Sequence, residues 1–351
     1  MSPPLGVYLH VPYCATICSY CDFPKYVRGD RAAWARTAIA ELALTPLDRP
    51  VDTVFFGGGT PTLLDPDDLG DVLDALDLAP GAEVTVEANP DSVDPRSLAR
   101  LRERGVTRIS LGMQSAAPHV LALLGRTHDP ARPPQAAVEA RAAGFEHVSL
   151  DLIYGAPNET DADWRATVEA ALAAGPDHVS AYGLTIAPGT RLHARIRHGE
   201  LAAPDEDALA DRYLLADALL RDAGLEWYEV SNWAAGPDAR CRHNVGYWRG
   251  GEWLGVGPGA HSAIGGRRWW NVRHPKRWAA MVGAGVRPEQ EGEDLDPQQL
   301  ALERLMLEVR TREGIDPARA RGGALDGLLD GGVLTLRGRL LADLVTRSLA
   351  G

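Results

Sequence analysis

Cysteine is sparse in this chain, which excludes a disulfide-stapled scaffold: four occur in 351 residues, and three of them crowd into one eight-residue loop. Positive charge is also in deficit, with 36 Lys and Arg against 48 Asp and Glu, a net charge of −12. Broad nucleic-acid binding is not expected, because the phosphate backbone rewards clustered cations and the basic residues here are scattered, mostly arginines. No run of 18 apolar residues occurs, so no transmembrane helix is expected. The start, Met1-Ser-Pro-Pro-Leu-Gly6, leads straight into a strand pattern without the charged and apolar regions of a secretory signal. These features predict a cytoplasmic protein, with peripheral contact at a membrane left open. With 45% hydrophobic and 24% charged residues, the chain can bury a core large enough for one big domain and a small one.

The crowded cysteines are the strongest positive signal. The run Cys14-Ala-Thr-Ile-Cys18-Ser-Tyr-Cys21 puts three soft thiolates on one short loop, the arrangement that holds an iron–sulfur cluster. Three thiolates serve a four-iron cluster with one iron left open to a small-molecule ligand. A structural zinc wants four protein ligands in a tetrahedron. Cys241 lies more than two hundred residues away, and no paired histidines or second C-x2-C accompany the loop, so zinc is the weaker reading.

A glycine turn, Gly57-Gly-Gly-Thr-Pro-Thr62, follows a strand-like run directly, where backbone free of side chains can approach a ligand closely. It lacks the lysine of a phosphate-binding P-loop. A second run, Gly255-Val-Gly-Pro-Gly-Ala-His261, reads as neither preceded by a clean strand nor followed by a helix, and so fails as a dinucleotide fingerprint.

Strand-like runs recur at 5–10, 53–56, 83–87, 108–112, 147–153 and 178–182, with helical patterns near 31–45, 66–78, 95–104, 130–143, 160–174 and 205–223. Asp65-Pro66, Asp94-Pro95 and the run from Thr160 carry helix-start signals. Six alternations predict an α/β fold with a parallel sheet. Cys14 to Cys21, Gly57 to Thr60, Glu87, Gln114, Asp151 and Tyr182 all fall at or just past strand ends. That rim carries the chemistry of barrels, so the expectation is an incomplete (β/α)6 TIM-like barrel. Beyond residue 285 the pattern changes: 289–296 is acidic and turn-like, 298–310 is an amphipathic helix, and a hairpin is expected around 334–340. The expected division is a barrel over 1–225, a connecting segment over 226–285, and a small helical, winged-helix-like domain over 286–351. Its mixed charge suits a lid or partner-docking role better than DNA binding.

Taken in order, these motifs resemble the radical S-adenosylmethionine (SAM) superfamily, in the branch containing oxygen-independent coproporphyrinogen III oxidase and the HemW-type heme chaperones. The resemblance runs through Tyr8-Leu-His10, the cysteine loop, the glycine turn, Val86-Glu-Ala-Asn-Pro90, Ser110-Leu-Gly-Met-Gln-Ser115, Leu124-Gly-Arg-Thr127, Asp151-Leu-Ile-Tyr-Gly155, Ser180-Ala-Tyr-Gly-Leu-Thr185, Tyr228-Glu-Val-Ser-Asn232, His243-Asn-Val-Gly-Tyr-Trp248 and Leu254 to Ser262. Oxidases continue the loop to a fourth cysteine where this chain has Phe23, and they carry a long extension where seven residues precede Tyr8. His243-Asn-Val-Gly-Tyr-Trp248 matches the chaperone element H-N-x-x-Y-W. The resemblance therefore implies a heme chaperone. The alternative is an oxidase in which a 5′-deoxyadenosyl radical takes hydrogen from propionate side chains, and a catalytically silent iron–sulfur scaffold is a third reading.

Residue by residue, it implies a [4Fe-4S] cluster on Cys14, Cys18 and Cys21. It implies SAM held by Gly58, Gly59, Thr60, Glu87, Gln114, Arg126 and Asp151, with Tyr8 near the cluster-bound molecule. Glu87 has a capping or salt-bridging role as its bland alternative, whereas Asp151 in an apolar strand needs a partner. For heme, His243 would supply an imidazole and Tyr247 and Trp248 a stacking surface, with His10, His261 and Cys241 as further ligand candidates. A satisfied core histidine is the competing reading of His243. Heme-acceptor proteins and an electron donor for the cluster are the implied partners.

Overall fold

The computed structural model describes residues 4–319 and 325–350. Met1–Pro3, in the start expected to carry no secretory signal, and residues 320–324 and 351, in the expected C-terminal domain, lie outside the described residues.

Strands β1 (Leu5–Val11), β2 (Val51–Gly58), β3 (Leu78–Ala88), β4 (Arg108–Gln114), β5 (His147–Tyr154) and β6 (His178–Gly183) pair in sequence order, all parallel. Between and after them run α1 (Trp34–Leu44), α2 (Pro66–Asp74), α3 (Pro95–Glu103), α4 (Pro118–Leu124), α5 (Arg132–Ala142), α6 (Asp161–Ala173), α7 (Arg191–Arg197) and α8 (Glu206–Asp222). Six of the seven residues of β1 are buried, as a parallel strand covered on both faces requires. The start signals act as read: the Asp65 carboxylate accepts from the Asp67 N–H, and Asp94 with Ser97 and Thr160 with Asp163 close reciprocal capping boxes. Each such cap contributes about 1 kcal/mol and fixes where a helix leaves its strand. Trp34 and Trp164, both fully buried, help fill the core between helices and sheet.

The sheet runs on past both edges of this series. On one side β6 pairs with the antiparallel hairpin of β7 (Glu226–Glu229) and β8 (Asn232–Ala234), turned at Ser231 with φ 83°. On the other side, after α9 (Arg242–Trp248), strand β9 (Glu252–Val256) lies parallel to β1. β10 (His261–Ile264), β11 (Arg267–Asn271), then α10 (Pro275–Gly283) and β12 (Glu289–Asp294) complete a twelve-stranded sheet whose central seven strands are parallel. The chain ends in α11 (Pro297–Glu308), the small hairpin β13 (Leu329–Asp330) and β14 (Val333–Leu334), α12 (Leu336–Leu340) and α13 (Ala342–Ala350). These pack a second apolar cluster that includes Leu305, Val309, Ile315, Leu334 and Val345. Among the described residues no helix is long and apolar enough to cross a membrane.

Four local expectations change. The acidic run from Glu289 is an edge strand rather than a turn, because β11 opposes it with cations: Arg267 pairs with Glu289 at 2.6 Å and Arg268 with Glu293 at 3.7 Å. The hairpin lies at 329–334, turned on Gly331 and Gly332, whereas 336–340 is a helix capped by the Thr335 hydroxyl. The second glycine run does follow a strand, β9, and leads into another, β10. The helix expected over 66–78 stops at Asp74, since Leu78 already pairs with Val51.

Candidate functional site

The carboxyl ends of β1 to β6 open into a cavity of about 540 Å³, within the size range of small-molecule sites. Its wall gathers Cys14, Cys18 and Cys21 from the loop after β1, Gly58 at the end of β2 with Gly59 and Thr60 just past it, Glu87 from β3, Gln114 from β4, Arg126 beyond α4, Asp151 from β5 and Tyr182 from β6. The rim residues expected from the strand-end pattern are thus brought together, except Gly57, which faces Tyr8 and Phe55 instead. Burial and the neighbouring Cys21 and Cys18 push the Cys14 thiol up to about 11. Among the described residues no three His, Cys, Asp or Glu side chains are set to hold a single metal ion, so the thiols line one cavity rather than meeting at a point.

Gly58 adopts φ 107°, and a Cβ there would lie 2.4 Å from the His10 ring, so the turn needs glycine on both counts. Its N–H donates to Glu87 Oε2 at 3.0 Å. Burial, then the nearby Asp151 carboxylate, push Glu87 up to about 8. Asp151 is raised too, by burial, against the Ser110 hydroxyl at 2.7 Å and the Ser149 hydroxyl at 3.4 Å. Those serines are the partners a charged residue in an apolar strand needs. Neither carboxylate has an ion-pair partner among the described residues, so the pair faces the cavity as a receptacle for a cation.

The same cavity also holds a cation. Arg126 donates through Nη1 to Cys18 Sγ at 3.7 Å and through Nη2 to the Gly112 carbonyl at 2.8 Å and to Asn89 Oδ1 at 2.5 Å. Asn89 in turn donates to the Thr60 hydroxyl at 3.0 Å. Asn89 had no assigned role from sequence, although it stands inside the Glu87-Ala-Asn-Pro90 motif. Gln114 is buried with φ 64°, a left-handed backbone that costs on the order of 1 kcal/mol or more for a side-chain-bearing residue.

Tyr8 is placed elsewhere. It stands behind Glu87, where a Cβ on Gly57 would lie 3.0 Å from its ring and 3.2 Å from the carboxylate. Its hydroxyl contacts His10 Nδ1 at 3.1 Å, and both residues line a second cavity of about 710 Å³. Aromatic rings dominate this cavity: Tyr8, Tyr247, Trp253 and Trp270, with Phe23 at its mouth. Asp22 and Phe23 belong to both cavities, so the cysteine loop is their common wall.

The heme candidates separate by access. His243 is buried, its Nδ1 bonded to the Thr53 hydroxyl at 2.9 Å and its Nε2 to the Tyr247 hydroxyl at 2.8 Å, its ring stacked on Phe55. Burial pushes its pKa down to about 3. That geometry matches a satisfied core histidine. His10 is likewise engaged at both nitrogens, by Tyr8 and by the Pro24 carbonyl at 2.9 Å. Cys241 is buried against Glu83, 3.7 Å from Sγ to Oε1. Trp248 bonds Glu229, away from the aromatic cavity. His10 and His261 both line the cavity, but only His261 of these candidates is exposed.

Soft ligands beside a pocket with anionic and cationic walls are the arrangement of a radical SAM protein, and the Radical SAM superfamily model matches residues 8–171. The chain is 52% identical to the heme chaperone HemW of Mycobacterium tuberculosis H37Rv, across 99% of this chain and 95% of that one. It is 35% identical to HemW of Escherichia coli over 87% of this chain and 83% of that one. The solved structure of coproporphyrinogen III oxidase (HemN) from Escherichia coli superposes with a TM-score of 0.86, covering 99% of this chain and 90% of that one; at 22% identity this is a likeness of fold. The chain belongs to the HemW family.

Proposed function

We propose that the protein is a heme chaperone, binding heme and passing it to acceptor proteins, on an incomplete radical SAM barrel that holds a [4Fe-4S] cluster and SAM. The observation that carries this reading is the 52% identity, over 99% of the chain, to a relative named as a heme chaperone. Phe23 supports it against the oxidase alternative, because a fourth loop cysteine belongs to that pattern.

The residues fit the groups this reading needs. Three thiols line one cavity, the donor set a cluster requires, and the Arg126 guanidinium donates to Cys18 Sγ. SAM carries a sulfonium, an ammonium and a carboxylate. Glu87 and Asp151 offer anionic partners to its cations, Arg126 a partner to its carboxylate, and Gly58, Gly59, Thr60 and Gln114 a close backbone and polar wall. Bound together, cluster and SAM supply one-electron chemistry. Heme needs a flat apolar slot with a few polar anchors, and the aromatic cavity beside the cysteine loop offers one. His243, Tyr247, Trp248 and His10 are the candidates named by the H-N-x-x-Y-W and Tyr8-Leu-His10 elements; His243 ligates iron only by giving up its bond to Tyr247. A cytoplasmic setting, an electron donor and unidentified acceptor proteins complete the reading.

The test is a heme titration of the anaerobically reconstituted full chain, followed by mixing with a heme-free acceptor, in parallel with incubation with coproporphyrinogen III. The expected result is about one heme per chain, a shifted Soret band, transfer to the acceptor and no vinyl formation. Absence of heme binding, or robust conversion of coproporphyrinogen, overturns the reading.

A further inference from the structure

One wall of the aromatic cavity is the turn between β9 and β10, which packs against the end of the cysteine loop at Pro24 and is tied down by several hydrogen bonds. Glu41, buried on α1, accepts from the Gly257 N–H at 2.8 Å, from Asn271 Nδ2 at 2.5 Å and from the Trp278 indole at 2.6 Å. One carboxylate thereby ties three elements to the turn: α1, β11 and α10. The Asn271 amide also donates to the Gly257 carbonyl at 2.9 Å, and Trp253 Nε1 donates to the His261 carbonyl at 2.9 Å. What this scaffolding presents is His261. Its ring stacks on Trp270, centroids 5.6 Å apart and planes 25° from parallel, and neither ring nitrogen has a hydrogen-bond partner among the described residues.

A rigidly mounted imidazole with both nitrogens free, in a cavity of four aromatic rings, has the character of a ligand awaiting an electrophile. His243 and His10 are the reverse case, since each already has both nitrogens engaged. Arg273, on the same wall, would meet an anionic substituent of the bound molecule. We infer that His261 supplies the axial imidazole to heme iron in this cavity, with Trp270 backing the imidazole, the porphyrin among Tyr8, Tyr247 and Trp253, and a propionate towards Arg273. This rests on the heme reading above. It also sets the heme against Asp22 and Phe23, on the far side of the cysteine loop from the SAM cavity.

The experiment compares absorption and magnetic circular dichroism spectra of the heme-loaded full chain with those of His261→Ala, His261→Gly and His243→Ala. The expected result is an imidazole-ligated signature in the wild type and in His243→Ala. His261→Ala should lose it with at least about tenfold weaker heme binding, since one ligand bond to the iron is removed. Added imidazole should restore the signature in His261→Gly, which a merely structural role would not permit. A wild-type spectrum in His261→Ala, or loss confined to His243→Ala, overturns the assignment while leaving heme binding in place. No heme binding by the wild type overturns the heme reading itself.

Discussion

The two cavities share a wall and differ in almost everything else. The first cavity is built from the ends of consecutive parallel strands, and its lining combines two carboxylates, a guanidinium and three thiols. The aromatic cavity is built where the sheet has been extended, by α9, the β9–β10 turn and β11, and its rings surround a single free imidazole. The contrast shows how one sheet can serve two kinds of ligand. Parallel strand ends deliver many separate polar groups to one rim. Antiparallel strands and their turns offer broad faces on which rings can lie flat.

The largest effect that could break this division is on the cluster. Cys14→Ala, Cys18→Ala or Cys21→Ala is each expected to abolish loading of about four iron and four sulfide after anaerobic reconstitution, while Cys241→Ala, buried against Glu83, leaves loading intact. Heme stoichiometry should be unchanged in all four; if the loop variants lose heme as well, the cavities are one site. Next in size, Glu87→Ala and Asp151→Ala should weaken SAM binding by about tenfold or more in calorimetric titration with iron content preserved, because each removes a carboxyl group that would bond the SAM cations. Unchanged affinity in both would remove SAM from this cavity. Smaller again, Glu41→Ala leaves three buried donors unmatched and should cost about 2–4 kcal/mol in denaturant unfolding, while disturbing heme spectra more than SAM affinity.

The smallest effect is a pH slope. Glu87 is raised from 4.5 to about 8, so the folded state holds a proton that the unfolded chain releases. Its contribution to stability is full below pH 4.5 and is lost as pH rises to about 8. In the ligand-free protein Glu87→Gln should melt at the wild-type temperature near pH 5 and a few degrees above it near pH 9. Parallel melting curves at the two pH values would refute the buried, unpaired carboxylate.

The first cavity was legible in the sequence because most of its groups sit at or just past the ends of consecutive strands; Arg126, beyond α4, is the exception. A local pattern of β-branched run, turn and helix thus placed Glu87, Gln114 and Asp151 on one rim before any tertiary contact was known. The second was not, because it depends on pairings between distant segments. Nothing local shows that β9 joins β1 across more than two hundred residues, or that an acidic run becomes a strand when Arg267 and Arg268 stand opposite. Access to histidines is hidden for the same reason: His243 lies in the more conspicuous motif, yet its neighbours Thr53 and Tyr247 occupy it, whereas His261 is left open.

Gln114 carries a consequence for anyone engineering this chain. A glycine there would relax the left-handed backbone, and a stability screen would reward the change. The same screen would favour neutral replacements for Glu87. Both selections would erase the rim that the fold exists to present, so thermal robustness is the wrong objective at these positions, and a stabilised variant should be sought among the exposed helix faces instead.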